Sequence, residues 1–152
     1  MQDYTLCVPK GWNVQRNIRD DSVEVCNRPE WDQCASDPFG YPVSGAIVVT
    51  IIPSDRGYGI YQSPDELRKR AQITGQPLPV VSDVKIITRD GIADPRCWMA
   101  RTLMPGGLWS DIYSLSRGGR RFRVSVFYND QPANVEKFRA SSLEVLSSVE
   151  PR

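Results

Sequence analysis

The stretch 120–149 most constrains the fold, because it predicts a strand that runs directly into a helix. In the segment RRFRVSVFY, apolar side chains alternate with mostly polar ones, which is the period-two pattern of a half-buried strand. The alternating apolar set is Phe122, Val124, Val126 and Tyr128. One face of this strand must therefore meet a hydrophobic core.

The residues after this strand predict a helix. Asn129 or Asp130 can cap its N-terminus, and Pro132 suits the first helical turn, where its missing N–H has no helical partner to lose. Pro151 ends the predicted helix. Residues at spacings of three and four predict its inward face, which comprises Val135, Phe138, Ser142, Val145 and Val149. Because this face would pack on the strand before it, the predicted class is α+β, with an antiparallel sheet covered by an internal helix and a C-terminal helix.

Length and composition predict one domain that covers residues 1–152. The chain is 40% hydrophobic and 24% charged, with a net charge of +1, which are ordinary values for a globular protein. The small net charge gives no global reason to bind nucleic acid or an anionic membrane. The longest apolar run, residues 46–52, is far shorter than the roughly 20 residues of a membrane helix, so no membrane span is predicted.

The remaining secondary structure follows from local patterns. Ser63-Pro64-Asp65-Glu66 matches a capping box with Ser63 at the N-cap, and Gly75 closes the helix that it starts. Residues 27–45 contain several prolines and glycines, which predict a long loop. Alternating or β-branched segments predict further strands at 4–8, 13–18, 22–26, 46–52, 84–88, 97–103 and 109–115. The unbroken apolar run 46–52 predicts a central strand covered on both faces.

The four cysteines predict two disulfides and an exported protein. Cys26 is predicted to pair with Cys34 across a short loop, and Cys7 with Cys97. In the chain-entropy model these bridges would contribute about 2–3 and, if unstrained, about 4–5 kcal/mol. Disulfides persist in oxidising compartments, so the predicted location is periplasmic or secreted, with an export signal removed before residue 1. The alternatives are four reduced thiols in a cytosolic protein, or a four-cysteine zinc site, which the wide cysteine spacing disfavours.

Catalytic chemistry has little support in the sequence. The chain has no histidine, which excludes Ser-His-Asp and Cys-His catalysis and every histidine-containing metal site. The aspartates lie at predicted turns, where their backbone hydrogen bonds explain them. Arg121 and Arg123 are interpreted as the outward, solvated half of the last strand. The chain is therefore predicted not to be an enzyme and to hold no metal or cofactor.

Aromatic residues in two loops form the predicted binding site. Segments 27–45 and 55–62 flank the strand 46–52, and large aromatic side chains on rigid loops bury area with little loss of entropy. The predicted partner-binding residues are Trp31, Asp32, Asp37, Phe39, Tyr41, Tyr58 and Tyr61. The alternative for any of the aromatic residues is that it folds back into a small core beneath its loop.

The segment VPKGW, with Pro9, Gly11 and Trp12, gives the chain a resemblance to a known family. A short strand ending in P-x-G-W, a helix about a third of the way along and a last strand leading into a helix with an early Phe138 resemble the PsbP-like fold superfamily. That superfamily includes the photosystem II extrinsic protein, a nuclear-transport factor acting on the Ran GTPase, and small bacterial envelope proteins. The resemblance implies an antiparallel sheet between helical layers and a non-enzymatic, protein-binding role.

These observations together predict a non-enzymatic exported module that binds a protein. Its most concrete form is an immunity-type inhibitor that neutralises a toxin or enzyme in the bacterial periplasm, since some immunity proteins resemble this fold. One alternative is a small-ligand or lipid-binding envelope protein, or an unrecognised enzyme, with a pocket between the sheet and the last helix near Phe138 and Trp98. Another is a PsbP-like accessory or assembly factor.

Overall fold

The computed structural model describes residues 4–17, 21–36, 41–53, 63–83, 98–104, 107–129 and 136–152. In chain order its strands are β1 (Tyr4–Thr5), β2 (Asn13–Asn17), β3 (Ser22–Cys26), β4 (Ala35–Ser36), β5 (Tyr41–Pro42), β6 (Ile47–Pro53), β7 (Val80–Asp83), β8 (Trp98–Met104), β9 (Leu108–Arg117), β10 (Arg120–Tyr128) and β11 (Glu150–Pro151). The helices are α1 (Pro64–Thr74) and α2 (Glu136–Ser147), and a single 3-10 turn spans Trp31–Gln33.

Seven of these strands form one antiparallel sheet in the order β2-β3-β6-β10-β9-β8-β7. The sheet carries α2 on one face and α1 on the other, so the predicted α+β class is confirmed. The predicted central strand is also confirmed, because β6 lies between β3 and β10. The strand predicted at 84–88 lies outside the described residues.

The main core lies between the sheet and α2. Paired residues on neighbouring antiparallel strands share a face, and the register places Phe122 opposite Leu115 and Val124 opposite Tyr113. From α2 and the residues after it, Val145, Leu146 and Val149 pack against this face and are fully buried. The inward positions predicted at 142, 145 and 149 are confirmed, while Val135 and the side chain of Phe138 lie outside the described residues.

The two ends of α1 differ in how well the sequence predicted them. Gly75 adopts a left-handed conformation, with φ of 68°, and its N–H donates to the carbonyl of Ala71, so the predicted helix end is confirmed. Ser63 has the extended backbone of an N-cap, but its side chain makes no capping hydrogen bond. The capping hydrogen bond predicted for the Ser63 side chain is therefore wrong, although the helix starts where the capping box predicts.

The chain termini meet in a small ribbon outside the main sheet. β1 is only two residues long and pairs with β11, which follows α2. The first strand was predicted over 4–8, but beyond Thr5 the chain leaves the ribbon, and the N–H of Cys7 donates to the Ser148 hydroxyl at 2.7 Å. Pro151 was predicted to end the last helix; that helix ends at Ser147, and Pro151 belongs to the ribbon.

Candidate functional site

The face of the sheet that carries α1, called here the α1 face, has no continuous hydrophobic core among the described residues. At one place Leu67 of α1 packs on Ala100 and Ile112. At another, the Cys26–Cys34 disulfide packs on Val48. Polar residues share this face with the two clusters, including Thr102, Ser110, Arg123 and Ser125. The face is thus covered at two separate points.

An open cavity of about 370 Å³ lies between α1 and this face. Its walls come from the inner side and end of α1, the segment after it, and strands β8, β9 and β10. The described residues that line it are Leu67, Arg70, Ala71, Thr74, Gln76, Pro77, Pro79, Thr102, Leu103, Ser110, Ile112, Arg123 and Phe127. Most of this wall is apolar, with a few polar groups among the apolar ones, which is the usual composition of a small-molecule site.

Ser110 is the polar residue that the cavity explains best. The register places it in one row with Thr102 on β8 and Phe127 on β10. Its side chain is only 1% exposed, and its hydroxyl has no hydrogen-bond partner among the described residues. A buried hydroxyl without a partner costs about 1–3 kcal/mol. A ligand that accepts a hydrogen bond from it would remove that cost.

Arg123 corrects one prediction made from the sequence. Arg121 and Arg123 were both interpreted as solvated, and Arg121 is indeed exposed. Arg123 is half-buried and lines the cavity, and Ser125 on the same side of β10 is 2% exposed. The reason is that α1 lies over this side of the strand near Arg123, whereas Arg121, on the same side, is close to the start of the strand. The alternation of β10 predicts which residues share a face, but not what covers that face.

The disulfide segment, residues 26–36 and 41–45, forms the other feature of this face. The predicted Cys26–Cys34 bond is confirmed, and Trp31, Ala35 and Phe127 pack around it. Part of the predicted loop is regular, because β4 and β5 pair within it as a short hairpin. Phe127 also lines the cavity, so the disulfide cluster and the cavity share a wall.

The base of this segment is held by Asn27. Its side-chain carbonyl accepts a hydrogen bond from the N–H of Ile47 at 2.8 Å, and its amide donates to the carbonyl of Gly45 at 3.2 Å. Gly45 has a φ of 77°, a left-handed backbone conformation that favours glycine. Sequence reasoning assigned no role to Asn27, because the bonds join positions far apart in the chain.

The predicted partner-binding residues are only partly described by the structure. Trp31 is half-buried against the disulfide, and Asp32 beside it is exposed. The backbone of Tyr41 pairs with that of Ser36, while the structure does not describe the Tyr41 side chain. The predicted residues that lie outside the described ranges are Asp37, Phe39, Tyr58 and Tyr61. Cys97 lies outside them as well, so the Cys7–Cys97 bond stays a prediction.

The described ranges contain no group of three or more histidine, cysteine or acidic side chains that could hold a metal ion. Within the same ranges, neither helix is long and apolar enough to cross a membrane. Trp98, which was predicted to flank a pocket beside α2, lies on the α1 face with Leu67. The cavity described here therefore lies on the opposite face from the pocket that the sequence predicted, and the side chain of Phe138 lies outside the described residues.

Comparison with known proteins identifies no family. No family model matches the chain, and no curated protein matches it either. Among solved structures, the chain is similar to LpqN, a protein of Mycobacterium tuberculosis described as involved in cell envelope biogenesis. The match has 11% identity and a TM-score of 0.42, and it covers 97% of this chain and 82% of LpqN. The PsbP-like resemblance stays a prediction, and the function has to follow from the residues of the site.

Proposed function

We propose that this chain is an exported, non-enzymatic binding domain whose site is the cavity between α1 and the sheet. The disulfide between Cys26 and Cys34 supports export, because such bonds persist in oxidising compartments. The absence of histidine from the sequence favours binding over hydrolytic chemistry. The ligand class that suits the cavity is a small molecule or lipid.

The observation that carries this proposal is the cavity itself. Its volume of about 370 Å³ falls in the range of roughly 300–1,000 Å³ that is usual for small-molecule sites. Its apolar wall would exclude water from a hydrophobic ligand, and the buried hydroxyl of Ser110 would orient one polar group of that ligand. On the other face, by contrast, α2 packs directly on the sheet through fully buried side chains.

Filling the cavity should weaken ligand binding at least tenfold. Ala71 is buried on the inner side of α1 and lines the cavity, so Ala71→Phe would place a ring inside it. We expect the wild-type protein to enhance the fluorescence of the neutral probe N-phenyl-1-naphthylamine saturably, and this variant to lose at least tenfold in affinity. Thr74→Phe, at an exposed lining position, gives a second test with little risk to folding.

The matched control is Ile73→Phe on the same helix. Ile73 is 85% exposed and does not line the cavity, so this change adds a ring without filling the site. Its probe affinity should equal that of the wild type. Probe binding that survives in both Ala71→Phe and Thr74→Phe would place the site elsewhere, and a wild-type protein that binds no probe would contradict the proposal.

The second candidate is binding of a protein partner through the disulfide segment, as an immunity-type inhibitor in the bacterial periplasm would do. The observation that favours it is that Trp31 packs on the disulfide, which holds the exposed Asp32 on a rigid turn. A constrained turn of this kind loses little entropy when it binds. Because Trp31 is half-buried in the disulfide cluster, substituting it would also change stability, and Asp32 is the better residue to test.

Reversing the charge of Asp32 tests this candidate. Asp32→Arg should reduce capture of the partner from envelope extract at least tenfold while leaving the melting temperature unchanged, because the side chain is exposed. Glu144→Arg makes the same change of charge at an exposed position of α2 and should leave capture intact. Equal capture by both variants would argue against the disulfide segment as the contact surface.

A further inference from the structure

The charges around the cavity point to the class of ligand. Arg70 lines it from α1, and Arg123 lines it from β10, so a cationic side chain contributes to both the helix wall and the sheet wall. None of the described lining residues is acidic. The described lining therefore contributes two positive charges and no negative one. An anionic group inside it would meet favourable potential from two sides.

The apolar wall and the strand register add a second requirement. Phe127 and Ser110 share one row across β10 and β9, whereas Arg123 lies four residues away along β10. At about 3.3 Å per residue, these two ends of the wall are about 13 Å apart. Between them the lining includes Ile112 and, from α1, Leu67. The site therefore suits an elongated ligand with an apolar body rather than a compact anion.

Resting on the proposed function of this cavity, we infer that its ligand is a carboxylate-bearing amphiphile, with the acidic group held by Arg123 and Arg70 and the alkyl body along the apolar wall. A guanidinium can bind a carboxylate through two parallel hydrogen bonds, which makes it a specific receptor for this group. The hydroxyl of Ser110 is buried and has no hydrogen-bond partner among the described residues. It lies at the opposite end of the wall from Arg123, so it would donate to a second polar group at the far end of the ligand.

The test compares octanoate with 1-octanol, which share an alkyl chain and differ in charge. Binding to the full chain would be measured by calorimetry and by displacement of N-phenyl-1-naphthylamine. We expect octanoate to bind roughly tenfold more tightly than 1-octanol, since a charged hydrogen bond exceeds a neutral one by about this factor. Acetate, which has the charge without the apolar body, should not compete for the site.

Variants then locate the charge preference. Arg123→Gln together with Arg70→Gln should bring the ratio of the two affinities close to one, while 1-octanol affinity stays within about twofold of the wild type. Arg121→Gln removes an exposed arginine of the same strand that does not line the cavity, and the preference for octanoate should persist. Ser110→Ala should leave octanoate affinity within about twofold of the wild type, because the only polar group of octanoate lies at Arg123, about 13 Å from the Ser110 row.

The outcomes separate this inference from the function on which it rests. If octanoate and 1-octanol bind equally, the cavity is a ligand site but the inference about its charge is wrong. If neither compound binds nor displaces the probe, the cavity is not a ligand site for amphiphiles and both proposals fail. A preference for octanoate that persists in the double arginine variant would also overturn the inference, because the charge would then be recognised elsewhere.

Discussion

Replacing Arg101 with methionine is expected to destabilise the protein by about 3 kcal/mol, because it removes the guanidinium that pairs with a buried carboxylate. Asp111 is only 1% exposed. Arg101 holds it with two hydrogen bonds, from Nε to Oδ1 at 2.8 Å and from Nη2 to Oδ2 at 3.0 Å. The Tyr128 hydroxyl donates to the same carboxylate at 3.0 Å. Without Arg101 the charge would stay buried in an incomplete network.

The pair also raises the pKa of Arg101 above its ordinary value, chiefly through the side-chain hydrogen bond to Asp111. A raised pKa on a basic group stabilises the fold below the pKa of the unfolded chain and loses that contribution only at higher pH. Because arginine titrates far above neutrality, the contribution of Arg101 should not vary between about pH 6 and pH 9.

Urea denaturation of matched arginine variants measures this effect. The control is Arg68→Met. It removes an ion pair on the exposed side of α1, in which Nη1 of Arg68 lies 2.7 Å from Oδ1 of Asp65. Exposed pairs contribute little, so we expect a loss of less than about 1 kcal/mol there. A loss in Arg101→Met no larger than in Arg68→Met would show that the buried ion pair contributes no more to stability than the exposed one.

Replacing Tyr4 with alanine should cost about 4 kcal/mol, although this residue belongs to a strand of only two residues. Tyr4 is fully buried and meets the ring of Phe122 edge-on, with the ring centres 5.2 Å apart. Its hydroxyl donates to the carbonyl of Asp21 at 2.8 Å. Alanine would leave a large cavity in the main core and would also leave that carbonyl without its donor.

Two further substitutions separate these contributions in the same denaturation experiment. Tyr4→Phe keeps the ring and loses only the hydrogen bond, so it should cost about 1–1.5 kcal/mol. Val14→Ala, on the edge strand β2 where Val14 is 49% exposed, should cost less than about 1 kcal/mol. If Tyr4→Ala were as mild as Val14→Ala, the N-terminal strand would not be part of the cooperative core.

Local patterns in the sequence predicted most elements of this fold. The apolar alternation in β10 and the proline and glycine at the ends of α1 are patterns among residues close in the chain. They therefore predict these elements without knowledge of the tertiary structure. The ribbon between β1 and β11 was not predictable in this way, because it pairs Tyr4 with Pro151. A strand of two residues is too short to show a period, and only contact with its distant partner defines it.

The candidate site shows the same division. The loop aromatics were conspicuous because of their residue type, and Trp31 does lie against the disulfide that the cysteine spacing predicted. Ser110 and Arg123 looked like ordinary polar positions of alternating strands. Their role depends on α1, which comes from a separate part of the chain. This helix covers the strands but leaves a cavity between itself and the sheet.

By itself the sequence determined the α+β class, the positions of β6 and β10, the end of α1 at Gly75 and the Cys26–Cys34 bond, because each depends on residue type and short-range spacing. Only the tertiary structure decided the strand order, the closure of the termini through β1 and β11, and the cavity on the α1 face. These depend on which distant segments cover one another. Strand periodicity specifies two faces, whereas the volume left between a sheet and a helix depends on the side chains of both.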